Sequence, residues 1–403
     1  MTPRPPLPDG PYLVVGLQRS GAGAARMLAA HGEVVGVDSG RPEVSGFEAH
    51  LESDGLDLLD RAAVVVKSPG VPQEAPVIQG ARARGIPVVG ELELAWRLLP
   101  NRFVAVTGTN GKTTTTELIG AIYRAAGLPV AVAGNVGTAL SSLVGQVAAD
   151  ATVVCECSSF QLEDTDQFAP DCAVLLNLEE DHLDRHGTFA AYREAKLRIF
   201  ANQTEDDVAI APAGVGPARA LEPERIDPAA VRLRGPHNVQ NAEFAAAAAR
   251  AMGVPEPAIA EALRTFAGVP HRLEEVAERD GVLYVNDSKA TNVASAAVGI
   301  EAFDQGVHAI LGGSLKGGGF AGLRSPLAER AKAAYLIGEA ADRLVADLED
   351  TVPLHRSGTL ARAVADARAA AVPGDVVLLS PACASYDQFA NYEERGEEFR
   401  RLA

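Results

Sequence analysis

The amino-acid sequence predicts an α/β fold of three domains built on parallel sheets. Three observations predict it. Short β-branched runs recur along the whole chain, amphipathic helical stretches separate them, and proline and glycine break the alternation in LLPNR and FAGVPHR. A chain of 403 residues is also too long for one ordinary hydrophobic core. The expected domains are therefore residues 1–99, 100–268 and 269–403.

In the first domain the strand-like runs are YLVVG, EVVGVD, AAVVVKSPG and IPVVG, with AGAARMLAAHG as the first crossover helix. The second begins at FVAVTG and continues through PVAVAG, ATVVCEC, CAVLLNL and DDVAIA. Its helices include AAYREAKLRIF and an Ala-rich stretch from about Asn238 to Met252. The third has VLYVND, HAILGG, AAYLIG and DVVLLS as strands. Apolar runs of this length between helices are the pattern of sheets buried on both faces.

Composition excludes several classes. Apolar residues make up 47% and charged residues 22%, as in ordinary globular proteins. No run approaches the ~18 to 20 apolar residues of a bilayer-spanning helix, and the Pro-rich start MTPRPPLPDG has no apolar signal core. A cytoplasmic enzyme with no membrane partner is expected. The formal charge of −17, without a local basic patch, argues against nucleic acid as a partner. Cys155 and Cys157 alternate inside a strand-like run and read as core filling, not as a disulfide or zinc pair.

The sharpest motif is VTGTNGKTTTTE, residues 106–117. A strand, FVAV, runs into a Gly-rich loop and then a helix, so backbone amides and a helix N-terminus converge on an anion. Gly108, Thr109, Asn110, Gly111, Lys112, Thr113 and Thr114 form the candidate ATP-binding set. Lys112 would reach the terminal phosphates and the Thr113 hydroxyl would ligate Mg²⁺. The common GxxxxGK[ST] spacing would need glycine at Val106. An ordinary strand-to-helix turn is the plainer alternative. The shortened form GTNGKTTT resembles the loop of the Mur ligases and folylpolyglutamate synthetases.

Downstream, ECSSFQLE follows a strand and sets Glu156 where a strand end faces the nucleotide. NLEEDHLDRHG leaves the next strand and carries His182, which with Glu156 would hold a second magnesium ion. Lys196 lies on a helix whose other face is apolar. A solvated lysine would be the default there. The resemblance to the Mur ligases implies instead that Lys196 reacts with CO₂ to give a carbamate, which would present two oxygens to Mg²⁺. The implied metal set is Thr113, Glu156, His182 and carbamylated Lys196, and the implied catalytic set is Lys112, Glu156, His182 and Lys196. PHNVQNA opens the Ala-rich helix with Asn238 and Asn241. Their amides suit an adenine edge, and helix capping by Asn238 is an equal reading.

Three polar stretches follow strands in the third domain: NDSKATN, GGSLKGG and SPACASYDQF. Together with PHR and NYEERG they resemble the D-glutamate-adding Mur ligases. The DNPR-type and GxHGKT motifs of other family members are not found. The resemblance implies that Arg272, Asp287 and Lys289 face the nucleotide, and that Thr291, Lys316, Ser385, Tyr386 and Tyr392 surround D-glutamate. For KGGG alone a flexible loop is the bland alternative.

In the first domain VVGLQRSGAG resembles a dinucleotide fingerprint followed by an acid, Asp38, after the second strand. The middle glycine is Gln18, which keeps a pyrophosphate away from the backbone and counts against an NAD domain. A Rossmann-like UDP-sugar domain is the reading. The resemblance implies UDP-sugar contacts at Arg19, Ser20, Asp38, Ser39, Ser68 and Asn135.

The implied fold is thus a Rossmann-like N-terminal domain, a central P-loop ATPase-type domain and a C-terminal Rossmann-like domain. The implied reaction is ATP-dependent joining of D-glutamate to UDP-N-acetylmuramoyl-L-alanine through an acyl phosphate, in peptidoglycan synthesis, by a monomer using ATP and two Mg²⁺ ions. A folylpolyglutamate synthetase, or a P-loop regulator that hydrolyses ATP without ligation, are the alternatives.

Overall fold

Sixteen strands form three sheets in the computed structural model, which describes residues 4–233, 235–315 and 318–403. The first sheet contains β1 (Tyr12–Val15), β2 (Val34–Asp38), β3 (Glu48–Leu51), β4 (Val64–Lys67) and β5 (Val88–Gly90), in the order β3-β2-β1-β4-β5. All its pairings are parallel. The second contains β6 (Arg102–Thr107), β7 (Val130–Gly134), β8 (Thr152–Glu156), β9 (Cys172–Leu175) and β10 (Val208–Ile210), in the order β10-β9-β6-β8-β7, again all parallel. The third contains β11 (Glu274–Arg279), β12 (Val282–Asn286), β13 (Val307–Gly312), β14 (Ala331–Ile337), β15 (Leu354–Gly358) and β16 (Val376–Leu379). Its order is β11-β12-β16-β13-β14-β15, with β11 antiparallel to its neighbour.

The chain divides into two compact units. One runs to Arg232 and includes Pro236–Phe266; the other is formed by Leu233, Gly235 and Ala267–Ala403. The first two sheets share a unit because one apolar cluster joins them. It runs from Val14 and Val66 through Leu94 and Trp96 of the helix Glu91–Leu98 to Phe103, Cys155 and Phe168. Burying such side chains contributes about 1.5 to 3 kcal/mol each. Glu93 adds a polar lock: its carboxylate is wholly buried and accepts the backbone N–H groups of Asp166, Gln167 and Phe168 and the Arg97 guanidinium. Among the described residues no helix is long and apolar enough to cross a membrane. All four cysteines are free and buried.

In the second unit, β12, β16 and β13 lie side by side, so the loops that leave them meet at one sheet edge. Arg395, on the helix Tyr392–Leu402, ties these loops together. Only 1% of it is exposed. Its guanidinium donates to the Ser288 hydroxyl and carbonyl at 2.9 Å each, and to the Cys383 and Ala384 carbonyls at 3.1 Å each. Burial lowers its pKa to about 10, which leaves it charged at neutral pH. Arg395→Ala would strand these carbonyls without donors. It should destabilise the second unit by about 3 kcal/mol or more, read as a shift in its denaturant midpoint; a loss below about 1 kcal/mol would contradict this account.

Candidate active site

β6 ends at Thr107, and the loop 108–111 feeds the helix Lys112–Ala125. Glycine is required at Gly111: its φ is 81°, and a Cβ there would lie 2.1 Å from Asn241 Oδ1. The loop is braced from the segment after β9. Asn110 N–H donates to Asn177 Oδ1 at 2.8 Å, Asn177 Nδ2 returns a bond to the Asn110 carbonyl at 3.2 Å, and Thr109 N–H donates to the Asn177 carbonyl at 3.1 Å. Glu179 accepts from Asn110 Nδ2 at 3.1 Å, and the Tyr192 hydroxyl lies 3.0 Å from Thr109 Oγ1. The amides of Gly111, Thr113 and Thr114 are left without an acceptor among the described residues, as the first turn of a helix leaves them. They form an anion-binding face. Lys112 Nζ folds back onto the Gly108 and Thr109 carbonyls, at 2.9 Å each. Thr113 and Thr114 are buried.

Glu156 sits at the end of β8, in register with Val106 of β6. It is buried, and its Oε1 accepts from Asn135 Nδ2 at 3.0 Å. Oε2 accepts no hydrogen bond among the described residues. Lys196, on the helix Phe189–Leu197, is 1% exposed, and its Nζ donates to the Gly108 carbonyl at 2.7 Å. Burial first, and then the nearby Lys112 charge, lower its pKa to about 7. The solvated-lysine reading of Lys196 is therefore not met: its amine is buried against the phosphate loop.

His182 follows in backbone of the left-handed region, φ 52°, with its side chain 48% exposed and Asp181 3.6 Å away. Among the described residues, no three His, Cys, Asp or Glu side chains gather as a ready metal nest. An ion here would need other oxygens: the Thr113 hydroxyl, ligand phosphates, or a carbamate. That donor set suits a hard, oxygen-seeking ion such as Mg²⁺.

The helix Pro236–Ala251 already starts at Pro236, so Asn238 lies within its first turn and the capping reading of that residue is not met. Asn238 and Asn241 are both buried, and Asn241 Nδ2 donates to Asn238 Oδ1 at 3.3 Å. Asn241 packs on Gly111 as described above.

The first sheet has its own cleft, of about 580 Å³, at the ends of β1, β2 and β4. β1 and β4 are the neighbours at which the strand order reverses, the position where ligands bind in such sheets. Arg19, Ser20, Asp38, Ser39, Ser68 and Asn135 all line it. Arg19 is the one cation on its wall among the described residues. Gly21 keeps the packing role of the fingerprint's last glycine: a Cβ there would lie 1.8 Å from the Gly16 carbonyl. Asp38 spends both oxygens locally, on Leu17 N–H at 2.6 Å and Gly40 N–H at 2.7 Å. Ser53, Asp54 and Gln161 also line the cleft and were not expected from sequence.

In the second unit Asp287 is buried and accepts from the Ser380 hydroxyl at 2.7 Å. Burial raises its pKa to about 7, against that hydrogen bond, the Arg272 charge and the Leu273 N–H. Lys289 N–H donates to the His271 carbonyl at 3.0 Å. Thr291 and Ser385 come from loops laced together by Ala382 N–H on the Ala290 carbonyl at 2.9 Å. Ser385 is buried, Tyr386 is 73% exposed, and the Tyr392 ring lies 6.1 Å from that of His271. Lys316 lies outside the described residues. Asn177, Glu179 and Tyr192, which brace the phosphate loop, and Arg395, which binds the third sheet's loops, were missed as site-building residues. The NLEE run after a strand was the available signal for the first two.

Two family descriptions match the chain: the Mur ligase middle domain over residues 106–222 and the Mur ligase glutamate ligase domain over residues 271–383. A relative in Acidobacterium capsulatum named UDP-N-acetylmuramoylalanine--D-glutamate ligase is 43% identical, covering 97% of this chain and 95% of that protein. One of the same name in Anaeromyxobacter dehalogenans is 45% identical, covering 97% and 96%. Among solved structures, the MurF ligase of Thermotoga maritima in complex with ADP shares the fold with a TM-score of 0.60 at 19% identity, covering 98% of this chain and 95% of that one. The UDP-N-acetylmuramate-alanine ligase MurC of the same organism gives 0.58 at 18% identity, covering 97% and 98%. Identity above two-fifths along nearly the full length of such relatives, joined to the phosphate loop and its neighbours, means that the chain belongs to the Mur ligase family, among its D-glutamate ligases.

Proposed function

We propose that the protein joins D-glutamate to UDP-N-acetylmuramoyl-L-alanine at the expense of ATP, as a cytoplasmic monomer in cell-wall peptidoglycan synthesis. The observation that carries this reading is a single compact unit holding both an anion-binding loop at Gly111–Thr114 and a separate polar cleft of about 580 Å³ lined by the six expected sugar-nucleotide residues. The names of the relatives supply the substrates.

A carboxylate resists attack by an amine because it is already anionic. Transfer of the γ-phosphoryl of ATP to the L-alanine carboxylate makes an acyl phosphate; the D-glutamate amine then attacks its carbonyl carbon, and phosphate leaves as the amide forms. Lys112 would exchange its two carbonyl partners for the β- and γ-phosphates, while the helix amides hold the same oxygens. Asn238 and Asn241 suit the adenine end. In the cleft Arg19 would offset the diphosphate charge. Arg272, Asp287 and Lys289 would serve the nucleotide, and Thr291, Lys316, Ser385, Tyr386 and Tyr392 the D-glutamate.

Two magnesium ions, held by Thr113, Glu156, His182 and carbamylated Lys196, would supply neutralisation of the crowded phosphate oxygens. The chain's own chemistry supports the carbamate. Only a neutral amine attacks CO₂, giving a carbamate and one proton, and a lysine with its pKa lowered to about 7 is neutral in good part at cytoplasmic pH. Lys196 is also a stability switch. It binds a proton in the unfolded chain up to its usual value near 10.5 but only to about 7 in the folded one, so its contribution to stability rises with pH between those limits.

Three outcomes are expected. ADP release should require both the UDP sugar and D-glutamate; release with neither would support a regulator, and release with another amino acid and no UDP sugar would support a folylpolyglutamate synthetase. Lys196→Ala should abolish ligation with an unchanged circular-dichroism spectrum, and ¹³C NMR at constant dissolved ¹³CO₂ should find the carbamate signal growing as pH rises through about 7 in the unaltered chain and missing in the variant. Gly111→Ala combines a disfavoured φ with a clash on Asn241, and should lower kcat/KM for ATP by about 100-fold.

A further inference from the structure

The ligase reading leaves unused a polar chain that crosses the first unit between its cleft and its phosphate loop. Residues 177–187 run past both. Their start braces the loop through Asn177 and Glu179. Their end is the one-turn helix Leu183–His186, flanked by left-handed backbone at His182 and Gly187. From this helix Arg185 reaches the cleft wall. Its Nη2 donates to the Val71 carbonyl at 2.6 Å, with longer contacts of 3.5 Å from Nη2 to the Pro69 carbonyl and from Nη1 to the Gly70 carbonyl. Residues 68–72, the loop after β4, line the cleft.

Glu163 is the pivot beneath this contact. Its Oε1 lies 3.4 Å from Arg185 Nη2 and 3.6 Å from Lys67 Nζ, and its Oε2 lies 3.8 Å from His186 Nδ1. Lys67 is wholly buried and pairs with Asp164 at 2.6 Å. Asp164 accepts from Gln73, just past the cleft loop, at 2.8 Å. Phe160 supplies a common platform: the Arg185 guanidinium lies 5.1 Å over its ring, and the His182 and His186 rings lie 4.9 and 5.2 Å from it. Arg185 Nε is buried with no acceptor among the described residues, so the guanidinium holds a donor in reserve. A planar fork of donors can grip neighbouring carbonyls in a way that an ammonium point charge cannot.

We propose that Arg185 couples the two substrate sites: it joins closure of the 68–72 loop on the sugar nucleotide to seating of residues 177–182 against the phosphate loop, so that each ligand tightens the other. This rests on assigning the cleft to the sugar nucleotide and the loop to ATP. Arg185 is a positioning residue, since it acts on both ligands through the backbone it holds.

The test is calorimetric titration of the full chain with Mg²⁺ and a non-hydrolysable ATP analogue, with and without UDP-N-acetylmuramoyl-L-alanine, and then in the reverse order. In the unaltered chain each ligand should raise the affinity of the other by about tenfold, with the same factor in either order. Arg185→Ala and Arg185→Lys should leave each ligand's separate affinity within about threefold while the coupling factor falls toward one. Glu163→Gln, which removes the pivot's charge but keeps its shape, should weaken the coupling partway; it and the lysine variant decide the matter if the alanine variant does not fold. A coupling factor unchanged in these variants, or independent binding of both ligands to the unaltered chain, would overturn the proposal. Absence of any binding to the unaltered chain would overturn the site assignment and the coupling with it, and is distinct from binding without coupling.

Discussion

A loop that offers backbone amides to an anion cannot spend the same amides on holding itself together, and the rest of the site follows from this constraint. Here the division is visible residue by residue. Thr109 and Asn110 give their N–H groups to Asn177, while those of Gly111, Thr113 and Thr114 are kept for a ligand. Order in the loop is therefore imported from the strand-end segment 177–179. Ordering a residue costs about 1 to 2 kcal/mol of backbone entropy, so a Gly-rich loop without such bracing would meet its ligand at a penalty. The parallel sheet makes the bracing possible: β6 and β9 are neighbours, and both loops leave at the same end.

The same closeness explains the chemistry of Lys196. Burial first, and then the neighbouring Lys112 charge, disfavour the Lys196 ammonium and lower its pKa to about 7, against its hydrogen bond to the Gly108 carbonyl. Desolvation thereby converts a residue that would repel a metal into an amine open to CO₂. The formal charge of −17 is no obstacle to phosphate binding, because the backbone amides of the loop and Lys112 set the field at the site itself.

Much of this was legible in the sequence, for a physical reason. Strands buried on both faces are apolar nearly throughout, so YLVV, CAVL and the VVV of β4 stand out without any partner being known. Edge strands face no such demand: EAHL of β3, EEVAER of β11 and LHRSG of β15 are polar and mostly half-buried or exposed, and no apolar run announces them. The six expected cleft residues were implied by the family resemblance, and they lie at strand ends and a helix start, where a parallel sheet gathers its loops. The roles of Asn177, Arg185 and Arg395 were not legible: the NLEE run marked Asn177 as a strand-end residue but not the loop it braces. A polar residue that serves another loop carries no local sign of its partner, which here lies 67, 114 and 107 positions away.

Bond formation between a nucleotide's phosphoryl group and a second substrate needs the reacting atoms within roughly 3 to 3.5 Å and aligned, so two sites on separate sheets are useful only if the sheets keep their spacing. The first unit meets that demand with one continuous apolar cluster from Val14 to Phe168, and with the Glu93 and Lys67 contacts that tie the helix Glu91–Leu98 and β4 to residues 164–168, the segment before β9. A rigid frame of this kind leaves only loops free to respond. Whatever communication passes between the cleft and the phosphate loop must then travel through groups that touch loop backbone on both sides, and hydrogen bonds to carbonyls, few and directional, are suited to that where close-packed side chains, which shift little, are not.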